Sequence, residues 1–189
     1  MKGLGLTLLL LLLSLVALAG AQMPGTGKCP SISLMKDFNV KKYMGKWYEV
    51  ERYFAYFEFG KKCVSFNYTL LSDGSVRVQN QAISKWTKRT KTQMGNAVPD
   101  ARDPAKFIIK YKGMIMTRTS NYWVIDTDYS NYSIVWSCSN FLGIFNTQFA
   151  WILSRQRILD EDIRMKIYQK LDRIGLNHNN FFLTDQANC

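Results

Sequence analysis

The sequence predicts an all-β domain, a barrel or sandwich of short antiparallel strands followed by one helix. Three observations carry this expectation. Segments in which apolar and polar residues alternate recur at regular spacing between Trp47 and Arg155, with turn residues between them. One of the turns, Ser72-Asp73-Gly74-Ser75, holds the Asp-Gly pair that suits a tight hairpin. The period changes only once, where Ile163, Ile167, Leu171 and Ile174 recur at helical spacing.

Taken in order, the chain begins with Lys2 and an apolar run from Leu8 to Leu13 that continues through Leu15 and Val16 to Ala19-Gly20-Ala21. This is the pattern of a secretory signal, and the run is shorter than the ~20 apolar residues of a membrane span. We expect residues 1–21 to be removed and residues 22–189 to form one secreted domain, long enough to bury a core. All four cysteines follow the signal, an even number that in an exported chain argues for two disulfides; spacing alone permits three pairings. No two cysteines stand at zinc-ligand spacing and His178 is the only histidine, so no metal site is expected. The formal charge is +11, or +10 once Lys2 leaves. Such an excess fits a solvated basic surface, or attraction to a polyanion or an anionic membrane.

A helix-like approach from Asn39 to Met44 runs into Gly45, and Trp47 opens an aromatic, extended stretch that reaches Phe59. Lys61-Lys62 marks a turn. Val64, Phe66, Tyr68 and Leu70 then alternate with Ser65, Asn67 and Thr69, and beyond the hairpin Val76, Val78, Asn80 and Ala82 alternate with Arg77, Gln79 and Gln81. Further strands are expected over 90–97, 107–112, 121–126, 132–139 and 148–155. The helix runs from Asp160, a capping residue, to Gly175, with acids at its start and Lys170 and Arg173 near its end, as the helix dipole favours. A brief strand over 181–184 closes the pattern. Asn67-Tyr68-Thr69 and Asn131-Tyr132-Ser133 are glycosylation sequons, which place Asn67 and Asn131 on the outside.

Gly45-Lys46-Trp47-Tyr48, Thr127-Asp128-Tyr129 and Arg155, in this order and at these separations, resemble the signature of the lipocalins, most closely their apolipoprotein D-like, Lazarillo-like and insect bilin-binding branch. The likeness spans the mature chain, including Cys29-Pro30, Phe149-Ala150-Trp151-Ile152-Leu153 and the terminal Thr184-Asp185-Gln186-Ala187-Asn188-Cys189. It implies an eight-stranded antiparallel up-and-down barrel with one C-terminal α-helix packed outside. It also implies disulfides Cys29–Cys138 and Cys63–Cys189, and a closed end where Gly45, Trp47, Thr127, Asp128, Tyr129 and Arg155 meet. There the Arg155 guanidinium would stack on the Trp47 indole.

Within such a barrel, inward parity puts Tyr68, Asn80, Tyr111, Tyr122, Trp136, Phe149, Trp151 and Leu153 on the lumen side. Tyr68, Asn80, Tyr111, Trp151 and Leu153 also align with ligand-lining positions of the branch. The function these residues suggest is carriage of a small hydrophobic ligand: a fatty acid, a sterol-like lipid, a retinoid or a bilin. Apart from a bound bilin chromophore or lipid, no cofactor is expected. Catalysis finds no support, because His178 has no serine or cysteine motif beside it and no glycine-rich phosphate loop is present.

The rival reading is a polyanion- or membrane-surface-binding or signalling protein with a merely structural barrel, suggested by Lys85, Lys88, Arg89 and Lys91 around Trp86. No specific nucleic-acid partner is indicated. The open-end loops are apolar for exposed turns: Phe54, Tyr56, Phe57 and Phe59; Met114, Ile115 and Met116; Phe141, Leu142, Ile144 and Phe145. With Lys88 beside them, Phe57, Ile115 and Phe145 make a candidate rim for docking on a membrane or lipoprotein, or alternatively a lid.

Overall fold

The computed structural model describes residues 23–113 and 116–189; the expected signal, residues 1–21, and the rim residues Met114 and Ile115 lie outside the described residues. Its elements are β1 (Met23–Thr26), α1 (Val40–Tyr43), β2 (Gly45–Arg52), β3 (Lys61–Leu70), β4 (Val76–Ser84), β5 (Thr90–Pro99), β6 (Lys106–Lys112), β7 (Thr117–Thr127), β8 (Tyr132–Phe141), β9 (Phe145–Ser154), α2 (Glu161–Arg173) and β10 (Phe182–Leu183). Each strand from β2 to β9 pairs antiparallel with the next, and β9 pairs back onto β2, which closes an eight-stranded up-and-down barrel. Closure removes the free edges that an open sheet would expose.

Local chemistry fixes where the elements start and stop. Asn39 caps α1 by accepting from Lys42 N, and Asp160 caps α2 by accepting from Asp162 N and Ile163 N. Gly45 begins β2 at φ +92°, a left-handed backbone that a side chain would strain, and so turns the chain from α1 straight into the barrel wall. Gly60 (φ +71°) makes the turn into β3, and a Cβ there would fall 2.2 Å from Trp86, whose ring lies against the glycine. The turn is thus at Gly60 and not at Lys61-Lys62, which are already the first residues of β3. Nor does the extended stretch from Trp47 reach Phe59: β2 ends at Arg52 and Tyr56–Glu58 form a single 3-10 turn.

Two apolar clusters flank the barrel wall. Phe38, Tyr43, Trp47, Val76, Val78, Phe107, Val135 and Leu153 fill the interior at the closed end. Ile134, Trp136, Ala150 and Ile152 instead face outward and pack with Ile167 and Leu171 of α2. β8 and β9 are therefore buried on both faces, and apolar alternation there cannot tell inside from outside.

This arrangement corrects the placement of Trp136. The register pairs Trp136 with Ala150 and Ser137 with Phe149, so the serine shares the lumen face with Phe149 while the indole lies outside against Trp123. Its Nε1–H donates to Gln148 at 3.2 Å.

The termini lie on the barrel. β1, which the sequence pattern did not suggest, pairs with the open-end half of β9, and Cys29 is bonded to Cys138 behind it. β2 pairs with β3 only over Gly45–Tyr48; further up the two diverge, and the C-terminal segment fills the gap. There β10 pairs with Glu51 and Arg52, the Gln186 amide donates at 2.8 Å to both Glu49 O and Val64 O, and Cys189 is bonded to Cys63.

Candidate functional site, a cavity in the barrel

Above the closed-end packing the barrel encloses a cavity of about 480 Å³, within the range of small-molecule sites. Its apolar wall is built by Val64, Phe66, Ala82, Ile109, Phe149, Trp151 and Leu153, each at an inward position of its strand. Tyr68 and Tyr122 form the floor. Asn80 and Tyr111 stand on one side, Ser137 and Ser139 on another, and Phe57 reaches over from the loop before β3 to pack 5.3 Å from the Phe149 ring.

The floor is a chain of hydroxyls. Tyr68 donates to Tyr122 at 2.9 Å, Tyr122 and Tyr43 share a bond of 2.7 Å, and Tyr43 and Ser133 one of 2.9 Å. These groups satisfy one another, so they close the barrel without leaving a polar atom for a ligand. Burial is the leading cause that pushes the Tyr43 phenol up to about 12 and holds those of Tyr68 and Tyr122 well above their ordinary value. The floor disfavours negative charge.

Higher up the wall the accounting does not close. Asn80 Nδ2 donates to Tyr111 Oη at 3.1 Å, while Asn80 Oδ1 is buried without a partner. The Trp151 Nε1–H is likewise buried and unpaired. If the Asn80 amide is turned over, Tyr111 still engages one end and the other still goes without. A buried polar group left unpaired costs about 1–3 kcal/mol.

The mouth is polar and charged. Lys61, Lys91 and Arg118 line it, with Gln81, Thr92 and Gln93 between them. Glu58 also lines it but is committed to Arg52, whose Nε lies 2.7 Å from Glu58 Oε2 and 3.4 Å from Glu49 Oε1. Burial first, and the neighbouring Glu58 carboxylate second, hold the Glu49 carboxyl well above its ordinary value against the opposing pull of Arg52 and Thr184.

At the closed end Arg155 Cζ sits 3.7 Å from the centroid of the Trp47 ring. The guanidinium donates to Lys46 O at 2.8 Å, Met44 O at 2.9 Å and Tyr129 O at 2.9 Å, and so closes off the carbonyls at the end of α1. Thr127 Oγ1 accepts from Tyr129 N and donates to Tyr132 O, and Asp128 accepts from the backbone N–H groups of Ser130, Asn131 and Tyr132. None of the six signature residues lines the cavity.

Of the eight residues expected on the lumen side, seven line the cavity and Trp136 does not. Of the charged residues at the mouth, Lys91 belongs to the basic run singled out in the sequence, while Glu58, Lys61 and Arg118 were missed; their charge reads as solvated surface until the barrel closes around the cavity. Asn67 and Asn131 are exposed, on the outer face of β3 and in the β7–β8 turn. Around the open end Phe59, Trp86, Phe141, Leu142, Ile144 and Phe145 are exposed, Leu142 by 80%.

The chain matches the family model described as a lipocalin-like domain over residues 38–186. It is 35% identical to apolipoprotein D of Cavia porcellus over 187 residues, covering 99% of this chain and 97% of that one. It is 30% identical to the Lazarillo protein of Schistocerca americana over 163 residues, covering 84% and 75%. Among solved structures, insecticyanin from the tobacco hornworm Manduca sexta superposes with a TM-score of 0.80 at 21% identity, over 88% of this chain and 90% of that one.

Proposed function

Because the chain belongs to the lipocalin family, we propose that it is a secreted carrier that holds one small hydrophobic ligand in its barrel. The observation that carries this reading is the pairing of an aromatic cavity with two buried, unsatisfied polar groups on its wall, Asn80 and the Trp151 N–H. A stable core leaves such groups unpaired at a cost; a ligand with a hydroxyl or carbonyl would complete them. The ligand contacts of this reading are Tyr68, Asn80, Tyr111, Tyr122, Phe149, Trp151 and Leu153. With all four cysteines bonded, no free thiol is present to serve as a nucleophile among the described residues, which supports a carrier over a catalyst.

Titration with retinol, followed by its own emission, tests the reading. Saturation at one ligand per chain is expected, and Trp151→Phe, which keeps the ring and removes the N–H, should weaken binding about tenfold by the cost of an unmade hydrogen bond. Absence of saturable binding, together with polyanion binding that collapses between low and physiological salt, would instead favour the structural-barrel reading. The absorption spectrum of protein from its source separates a bilin, with a visible band, from a colourless lipid.

The partner surface belongs to the same proposal. Phe59 and Trp86 on one side of the mouth, where Lys88 shares the β4–β5 turn with Trp86, and the Phe141–Phe145 hairpin tip present exposed apolar side chains. That combination suits an anionic membrane or lipoprotein surface, which attracts each nearby basic residue by about 1 kcal/mol. Phe57, in contact with Phe149, acts as part of a lid rather than of that surface. The sequons at Asn67 and Asn131, if occupied, carry their glycans away from the mouth.

A further inference from the structure

We propose that the closed end of the barrel, where α1 meets the start of β2 and the end of β9, binds a linear sulfated polysaccharide through Lys41, Lys42, Lys46 and Arg157. The site lies away from the cavity and its mouth, and it stands whether or not the barrel carries a ligand.

The sequence concentrates charge here. Residues 38–48 and 151–159 hold Lys41, Lys42, Lys46, Arg155 and Arg157 and no acid. Arg155 draws the two segments together, since its guanidinium donates to Lys42 O at 3.3 Å, Met44 O at 2.9 Å and Lys46 O at 2.8 Å. Its fork is thereby spent, and the other cations are left to solvent: Lys41, Lys42 and Lys46 are exposed and Arg157 is half-buried. None of them has an ion-pair partner among the described residues, and residues 1–22, 114 and 115 contain no Asp or Glu that could supply one. The neighbouring acids are mostly committed. Glu49 is buried beside Arg52, Asp160 caps α2, and Asp128 accepts from the N–H groups of Ser130, Asn131 and Tyr132, which leaves Asp37 as the free carboxylate beside the cluster.

Two of the cations are held in place. Lys46 Nζ lies 5.1 Å and Arg157 Cζ 4.7 Å from the centroid of one ring, that of Tyr48, and Arg157 Nη1 donates to Gln186 at 2.9 Å. Like charges set side by side without a counter-ion repel one another, and their fields sum over the surface in front of them. Holding them in position lowers the entropy lost when an anion arrives, and the guanidinium matches the paired oxygens of a sulfate or carboxylate. The surface also selects the class of polyanion. No ring is free to stack on a base, because Tyr48 and Tyr129 already carry cations and Tyr43 and Trp47 are buried. The exposed apolar side chains that suit a membrane cluster at the opposite end, around Phe59, Trp86 and Leu142, whereas Ile158 stands alone beside Arg157. A sulfated polysaccharide needs neither feature, and a chain with two disulfides is suited to the extracellular space where such polymers occur.

Calorimetric titration with heparin oligosaccharides in physiological salt tests the site, with retinol affinity and Tm followed on the same samples. Asn67 pairs directly across from Lys46, so each protein is also measured after treatment with a glycosidase. Wild type should bind saturably, and saturating oligosaccharide should leave retinol affinity unchanged. In Lys42→Gln, Lys46→Gln, Arg157→Gln heparin affinity should fall at least tenfold, and the slope of log K against log salt should become shallower by about two to three. A second triple variant, Lys88→Gln, Arg89→Gln, Lys110→Gln, removes the same charge from exposed positions elsewhere and should stay within threefold of wild type. Lys42→Glu with Lys46→Glu changes only exposed side chains and should abolish binding with Tm unchanged, which separates lost recognition from lost packing at Arg157. Equal losses in the two triple variants would show that net charge, and not this face, attracts the polymer. Single-stranded RNA bound as tightly as heparin, and lost in the same variant, would assign the face to nucleic acid and overturn the polysaccharide. Absence of saturable heparin binding, with or without glycosidase treatment, sinks the site and leaves the carrier standing.

Discussion

Removal of Arg155 is the sharpest probe of how the closed end is held. In Arg155→Ala three charge-assisted hydrogen bonds of 2.8–2.9 Å, to Lys46 O, Met44 O and Tyr129 O, are lost together with the stack on Trp47. At the lower end of the range for bonds to charged groups, about 1.5 kcal/mol each, with about 1 kcal/mol for the cation–π contact, the gross loss is about 5.5 kcal/mol. The site is only partly buried, so water can reach some of the freed carbonyls, and a net cost of about 3 kcal/mol is expected. For a domain of this size that corresponds to a fall in Tm of roughly 6–12 °C. Arg155→Lys keeps the charge but offers one compact head in place of the fork, and should recover about a third of the loss. Ligand affinity should stay within twofold, because Arg155 does not line the cavity. Thermal unfolding by circular dichroism and retinol titration on the same samples measure the two effects. Wild-type melting with impaired binding would refute the division between a sealing end and a binding end.

Three further outcomes follow from the same geometry. Glu49 has a folded-state pKa above its unfolded value near 4.5, so the folded chain holds that proton longer and the group's contribution to stability declines as pH rises from about 4.5 toward neutrality. Glu49→Gln should therefore flatten the dependence of Tm on pH across that window and be no less stable than wild type at pH 7; equal destabilisation at both ends would contradict this. Cys189→Ser frees the C-terminal seam between β2 and β3, opening a loop closure of 126 residues. It should cost up to about 4–5 kcal/mol in denaturant unfolding and speed ligand exchange in stopped flow, and unchanged exchange would mean that the seam is not a barrier. Leu142→Ser with Phe145→Ser should weaken flotation with anionic vesicles and slow ligand transfer from them while affinity for free ligand holds; lost affinity with intact flotation would make the hairpin a lid.

The fold was legible where one face of each strand is wet. On β3 and β4 most apolar positions point one way, and the alternation of Val64, Phe66 and Tyr68 or of Val76, Val78 and Asn80 reads directly as inside and outside. On β8 that signal disappears, because α2 covers the outer face and Ile134, Val135 and Trp136 are all buried. Only the register with β9 settles the direction of Trp136, and register is not written in a single strand. The mouth was illegible for a different reason. Lys61 and Arg118 look like solvated charge in the sequence, and the cavity they share with Lys91 arises only from closure of the barrel. β1 was hidden because Met23-Pro24-Gly25-Thr26 lacks strand propensity, and its pairing with β9 is not written in that segment.

Where the unpaired atoms fall separates binding from packing. Among the described residues, Arg52 Nε and Glu58 Oε2 face each other at 2.7 Å, and the buried side-chain atoms left without a hydrogen-bond partner belong to Glu49 on β2, Asn80 on β4 and Trp151 on β9. None belongs to the closed end, where Tyr43, Trp47, Thr127, Asp128 and Arg155 are bonded to one another or to backbone. If stability alone shaped this interior, the costs would be spread or removed along its length, since apolar replacements at Asn80 or Trp151 would fill the same space without an orphan. Asn80 and Trp151 line one cavity, above a floor that has satisfied all its own hydroxyls, and that is the imprint expected of a site completed by something outside the chain. The same reasoning assigns the two carboxylates at Arg52 a structural place. They face the Arg52 guanidinium, which does not itself line the cavity, and leave Lys61, Lys91 and Arg118 as the cations that line its mouth.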